Sequence, residues 1–165
     1  MWIKVSGSCN FSSKSLFKKN LKNLTKYIKN MITNKAGNTI GLMENFGVSF
    51  DEGRLEIEGI GNIEKHASGS TNKQKSTMFV MDRNSKAISK PLLLIDEDDV
   101  VANHASAVGQ ISQDTIFYLC SRGIEESIAR KLIVMGYFKP FIEMIEMREV
   151  HNELENYLNE VITNV

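Results

Sequence analysis

The chain has 165 residues, enough for one domain with a single buried core. Hydrophobic residues make up 42% of it and charged residues 24%, which is typical of a globular protein and not of a disordered or fibrous one. The formal net charge is zero. No apolar run approaches the roughly 18 residues that would predict a membrane span.

The charge is unevenly distributed. Residues 1–35 contain eight lysines and no acidic residue. Such a segment suits a nucleic-acid arm, a membrane-surface helix, a transit-type segment or the solvated face of a helix. The absence of arginine argues against a transit peptide and against base contact, so we favour the solvated face and expect no nucleic-acid partner.

Residues 13–32 carry apolar side chains near helical spacing, with lysines between them, which predicts an amphipathic helix. These side chains are Leu16, Phe17, Leu21, Leu24, Ile28 and Met31. Glycines at 37 and 41 then break the period, which predicts a boundary and a separate N-terminal segment over residues 1–40.

From residue 42 to 102 short extended runs alternate with turn residues. Leu55 and Ile57, for example, alternate with Glu56 and Glu58. We expect strands of three to five residues, with the β core spanning residues 41–111. This pattern fits a sandwich or a β-helix and does not choose between them.

The last third, residues 112–165, reads as a helical subdomain. Ser112 is placed to cap a helix over 113–121, with Gly123 just beyond its end. A second short helix follows and is expected to stop at Gly136; its predicted apolar stripe is Ile128, Ala129, Leu132 and Ile133. Residues 141–163 predict a third, acidic amphipathic helix.

Candidate chemical groups are few. Cys9 and Cys120 have no zinc-type spacing, and we expect reduced thiols in a cytoplasmic protein, with Cys120 buried. His104 stands among small residues just after Asp98 and Asp99, which could orient it or share a ligand with it. The alternative is a histidine hydrogen-bonded at the end of the last strand. His66 and His151 read as surface residues.

Residues 91–138 contain several motifs at constrained spacing: a Pro-x-Leu-x-Ile strand, Asp-Asp-Val, a histidine with small residues ending in Val-Gly, and Phe-Tyr-Leu-x-Ser-Arg-Gly-Ile. This stretch resembles the C-terminal part of the SufB/SufD family of iron–sulfur cluster assembly scaffolds. A weaker resemblance extends back to about residue 50.

The resemblance implies a right-handed parallel β-helix followed by three α-helices. It also implies a non-catalytic scaffold subunit that pairs with a SufB-like sister or a second copy of itself. A transient iron–sulfur cluster would be the cargo, and His104 would be a metal ligand to it. A SufC-like ATPase would dock on residues from the helical subdomain: Phe117, Tyr118, Ser121, Arg122, Gly123 and Ile124.

Two departures from the family pattern make the chain more SufD-like than SufB-like. Ser76 stands where SufB-like members have a cysteine, and Ala105 stands where they have an acid. A serine hydroxyl is neither soft nor ionised enough to accept sulfur as a thiolate does. An alternative function is a structural interaction module that makes no contact with the cluster.

Overall fold

A computed structural model of the protein describes residues 3–6, 24–50, 52–143 and 148–163. The described residues form seven strands followed by three helices. They are β1 (Ile3–Ser6), β2 (Thr25–Asn34), β3 (Ile40–Ser49), β4 (Arg54–Ile63), β5 (Thr71–Val80), β6 (Lys86–Ile95), β7 (Val101–Gln110), α1 (Gln113–Ser121), α2 (Glu126–Glu143) and α3 (Arg148–Thr163). The expectation of a mainly β protein with three C-terminal helices is confirmed. The chain divides into two compact units, Met1–Gly109 and Gln110–Val165.

Successive strands of the first unit alternate between two sheets. One sheet has the order β1-β3-β5-β7 and the other the order β2-β4-β6. The pairs β2–β4, β4–β6 and β3–β5 are parallel, and β1 lies antiparallel against β3. Consecutive strands thus lie in different sheets, and each strand pairs with the strand two positions away along the chain. We call two consecutive strands, one from each sheet, a coil.

The strands from β2 to β7 are ten residues long, so the expectation of strands of three to five residues is wrong. Several inward-facing positions hold buried amides or glycines, such as Asn72, Gln74 and Gly61. These residues interrupt the apolar pattern in the sequence. They do not interrupt the ladder, because the backbone groups pair whatever the side chain is.

One part of the interior between the two sheets is apolar. Leu55 and Ile57 of β4 pack with Met78 of β5, and all three are buried. Ile28 and Ala87 pack against this cluster from the neighbouring strands. Burying each of the larger side chains stabilises the fold by roughly 1.5–3 kcal/mol.

The other part of the interior is polar. The Asn72 Nδ2 group donates to Asn34 Oδ1 at 2.8 Å. The Asn45 Nδ2 group donates to Ser76 Oγ at 3.1 Å and Asn45 Oδ1 accepts from Asn30 Nδ2 at 3.2 Å. Because a buried amide is costly without a partner, these pairs favour one register of the stacked coils.

The outer face of the sheet β2-β4-β6 carries a row of charges across the coils. Lys90 bonds Glu56, and the Arg54 guanidinium lies 3.3 Å from the same carboxylate. Glu58 accepts a hydrogen bond from Tyr27 and lies 3.6 Å from Lys29 Nζ. The bond from Lys90 holds the pKa of Glu56 below its usual value, and the bond from Tyr27 does the same for the pKa of Glu58.

The helix expected over residues 13–32 is corrected in its last part. Thr25–Asn34 form β2, which pairs with β4 along all ten residues. Residues 13–23 lie outside the described part of the chain. Helical spacing at Leu24, Ile28 and Met31 was misleading, because pairing with β4 satisfies this segment's backbone and half-buries alternate side chains instead. Lys35 Nζ lies 3.9 Å from Glu64 Oε1, and both side chains are exposed to solvent.

In the second unit, α1 begins and ends where its sequence signals predict. Ser112 Oγ accepts from the Thr115 N–H, and Gly123 takes a φ of +84°. The N–H groups of Gly123 and Ile124 donate to the carbonyls of Cys120 and Leu119, which closes a Schellman motif.

The expectation that the second helix stops at Gly136 is wrong, because α2 runs on to Glu143. Val134, Phe138 and Ile142 are buried along one face of it at helical spacing. Their burial outweighs the cost of about 1 kcal/mol that a glycine imposes inside a helix.

Candidate functional site

The stack of coils has an open end, which we define as the strands β6 and β7. Each is the last strand of its sheet. Within the described residues no further strand pairs with either of them. An unpaired edge presents free backbone donors and acceptors, which is a template for another strand.

Several apolar side chains at the open end are exposed to solvent. Ile95 of β6 is in register with Ile63 of β4. Ile63 is completely buried, whereas 44% of Ile95 is exposed. Four more apolar side chains of β6 and β7 are exposed: Leu92, Leu94, Val101 and Val108. Such a concentration of apolar surface on a sheet edge indicates an interaction surface.

His104 lies on this open end. The Val101 N–H donates to the Ser70 carbonyl at 3.0 Å, so β5 and β7 start side by side. At their other end, a Cβ on Gly109 would lie 3.4 Å from the Phe79 ring. The two strands therefore run parallel, and His104 is level with Gln74.

Alternation along β7 sets the direction of the imidazole. Gly109 is on the side of Phe79, so His104 and Ser106 are on the opposite side, which in β5 belongs to the buried Gln74 and Ser76. His104 nevertheless stays exposed, because β7 is the last strand. It therefore faces the end of the interior and is reachable from outside.

The structure does not bring Asp98 and Asp99 to this imidazole. The Asp99 carboxylate accepts from Ser68 Oγ at 2.9 Å, and its carbonyl accepts from the Gly69 N–H at 2.7 Å. Asp99 thus ties the turn before β7 to the turn before β5. Ser76, which the resemblance sets against a cysteine of SufB-like proteins, is buried, and its Oγ accepts a hydrogen bond from Asn45 Nδ2.

Metal-binding capacity at the open end is limited. Across residues 3–6, 24–50, 52–143 and 148–163, no three histidine, cysteine or acidic residues form a group that could hold a metal ion. His104 is exposed, and its imidazole could supply one nitrogen ligand, so any further ligands to a metal ion would have to come from another chain.

The predicted docking residues lie around the end of α1. Phe117 is 75% exposed and Tyr118 54% exposed, whereas Ile116 beside them is buried. Arg122 stacks over the Tyr118 ring, 4.9 Å from its centroid, and Ser121 Oγ donates to the Tyr118 carbonyl. Ser121, Arg122 and Gly123 are exposed and Ile124 is half-buried.

Sequence reasoning missed part of this surface. It assigned Ile128 and Leu132 to a core stripe with Ala129, but only Ala129 is buried, and Ile128 and Leu132 are about half exposed. They are four residues apart and share one face of α2. Phe117, Tyr118, Ile128 and Leu132 are the exposed apolar side chains of α1 and α2 to which we refer as the apolar patch of the second unit. A different stripe of α2, through Val134 and Phe138, is buried instead.

No helix among the described residues is long and apolar enough to cross a membrane. Comparison with known proteins gives a consistent family. The family model described as the SUF system FeS cluster assembly, SufBD core domain, matches residues 8–137.

Individual relatives agree. The chain is 34% identical over 114 residues to the iron-sulfur cluster assembly protein SufD of Bacillus subtilis, covering 69% of this chain and 26% of the relative. It is 30% identical over 113 residues to a SufBD family protein of Staphylococcus saprophyticus, covering 68% of this chain and 24% of the relative. It is 31% identical over 112 residues to a SufBD family protein of Mycobacterium leprae, covering 68% of this chain and 13% of the relative. The chain thus spans about a quarter or less of the relatives it matches, and it belongs to the SufBD family of iron–sulfur cluster assembly proteins.

Proposed function

We propose that the protein is a non-catalytic scaffold subunit of a SUF-type assembly complex in the cytoplasm, and that its first unit is a right-handed parallel β-helix. The parallel strands, which alternate between two sheets, support the β-helix. The resemblance to the family supports its right-handedness. One observation carries the scaffold role: β6 and β7 expose side chains that the preceding coils bury, with His104 among them.

In this proposal the open end pairs with the same end of a SufB-like sister or of a second copy. Val108, exposed and on the inward side of β7, would be covered by the partner. Replacing Val108 by Asp should abolish pairing in size-exclusion chromatography with light scattering. Ile40→Asp is the matched control, since Ile40 is equally apolar and exposed but lies on β3. Pairing that survives in Val108→Asp would place the interface elsewhere.

The iron–sulfur cluster is the cargo, and His104 would supply one ligand to it at the paired end. An imidazole in place of a thiolate weakens a cluster's attachment and raises its potential, which suits transfer onwards. His104→Ala should lower cluster formation in the reconstituted complex and leave pairing intact. His66→Ala is the control, because His66 is an exposed histidine in the turn before β5. Cluster yield equal to that of His66→Ala would refute a ligand role.

The apolar patch of the second unit would dock a SufC-like ATPase. Exposed aromatic side chains are the usual anchors of such interfaces. Phe117→Ala should weaken binding of the ATPase by about tenfold or more in calorimetry. Tyr27→Ala, which removes an exposed aromatic from β2, should leave the affinity unchanged. Equal affinities for the two variants would count against this surface.

A second candidate is an interaction module that pairs and docks without touching the cluster. The lack of a three-ligand group within the described residues favours it. Mixing the chain with its ATPase, iron and sulfide separates the two functions. Binding of the ATPase without any iron signal on this chain would support the module.

A further inference from the structure

The side chain of Gln74 spans the interior of the β unit at the last coil. Gln74 belongs to β5 and is 4% exposed. Its Nε2 group donates to the carbonyl of Leu92 in β6 at 2.9 Å. This hydrogen bond joins the two sheets, because β5 belongs to one of them and β6 is the last strand of the other.

Two glycines of β4 clear the path of this side chain. A Cβ on Gly61 would lie 2.6 Å from Gln74 Nε2, and a Cβ on Gly59 would lie 3.1 Å from Gln74 Oε1. Contacts this short exclude an ordinary side chain at Gly61 while the amide keeps its place. The Gln74 amide thus passes over β4 to reach β6, and β4 is built to allow it.

Gln74 also adjoins His104. The two residues are level on neighbouring strands and on the same side, so their side chains start about 5 Å apart. Gln74 is held by its bond to β6, whereas His104 has no strand beyond it in the described part of the chain. The residue level with His104 on the neighbouring strand is therefore the one whose amide is bonded to β6.

We propose that Gln74 is a positioning residue for the open end: its amide sets the separation of β6 and β7 and thereby the placement of His104. This inference rests on the proposed function for its biological meaning, since the open end matters only if it pairs. It concerns geometry alone, however, and is tested without iron, ATPase or sister subunit.

The test compares the full chain with Gln74→Met and with Gln74→Leu, two apolar side chains of similar volume that lose the hydrogen-bond donor. Amide hydrogen exchange in peptides of β6 and β7 should be about fivefold faster in both variants. Peptides of β2 and β3 should exchange as before. Lys75→Met, an exposed position on the same strand, is the matched control.

Because Gln74 is close to His104, its replacement alone would change the surroundings of the imidazole, so Gly61→Ala is measured as well: its Cβ displaces the Gln74 amide from β4 and leaves Gln74 in the chain. The NMR signal of the His104 ring should shift in both Gln74 variants and in Gly61→Ala, while that of the exposed His66 stays in place. An unshifted His104 signal, or unchanged exchange in β6 and β7, overturns the proposal. If the His104 signal shifts but His104→Ala leaves cluster formation unchanged, the positioning stands and the cluster role fails.

Discussion

In one part of the sheet interior Leu55, Ile57 and Met78 pack as an apolar cluster, whereas in the other Asn34 and Asn72 are joined by an amide hydrogen bond. Both parts are buried between the same strands. The apolar part contributes free energy roughly in proportion to its buried area, with little directional preference. The polar part contributes less but depends on geometry, since a shift by one residue would leave its amides unpaired.

The largest expected effect breaks the apolar part. Ile57→Ala removes a fully buried side chain and should lower the free energy of unfolding by about 3 kcal/mol in urea titrations. Ile40→Ala makes the same change at an exposed strand position and should cost under about 0.5 kcal/mol. Similar losses for both variants would mean that the cluster is not the main source of stability.

The next effect tests how tightly the polar part is packed. A Cβ at Gly61 would lie 2.3 Å from Asn72 Oδ1 as well as against Gln74. Gly61→Ala should therefore destabilise the protein by about 2 kcal/mol in the same titration. Gly136→Ala is a revealing control, because nothing lies within 4 Å of that position in α2, and there alanine should stabilise by about 0.5–1 kcal/mol. A neutral Gly61→Ala would contradict the close approach.

A smaller effect sharpens the comparison by removing one amide pair. Asn72→Ala leaves Asn34 Oδ1 without its donor, but it also removes Asn72 Oδ1, a buried acceptor with no hydrogen-bond partner. These changes oppose each other, so the expected net loss is about 1 kcal/mol. Asn103→Ala, at an exposed position of β7, should be neutral. If Asn72→Ala lowered the free energy of unfolding as much as Ile57→Ala does, the polar part would stabilise the fold as strongly as the apolar part.

The smallest effect concerns the outer face. The folded protein holds the pKa of Glu56 and of Glu58 below the ordinary value of 4.5. The contribution of these carboxylates is therefore complete above about pH 4.5 and is lost as the pH falls through their lowered pKa values. In Glu56→Gln the loss of stability on acidification should be shallower than in the wild type, as followed by urea midpoints between neutral and acid pH. A pH profile of Glu56→Gln as steep as that of the wild type would contradict this contribution.

Local sequence signals predicted those elements whose determinants are close together along the chain. Ser112 and Gly123 mark the ends of α1, and both make the capping contacts that their residue types allow. The motifs from Pro91 to Gly123 were likewise sufficient to indicate the family, which the comparisons confirm. The candidate ligand His104 and the docking residues Phe117 and Tyr118 were found in the same way, and their roles remain predictions.

Only the tertiary structure decided the rest, because it depends on partners distant in sequence. Thr25–Asn34 is a strand since it pairs with β4, and the helical spacing of its apolar residues could not reveal that partner. Asn72 and Gln74 are inside since glycines of another strand make room for their amides. Ile95 is exposed and Ile63 buried although both are isoleucines at matching positions, because one strand has a neighbour on both sides and the other is the last described strand of its sheet.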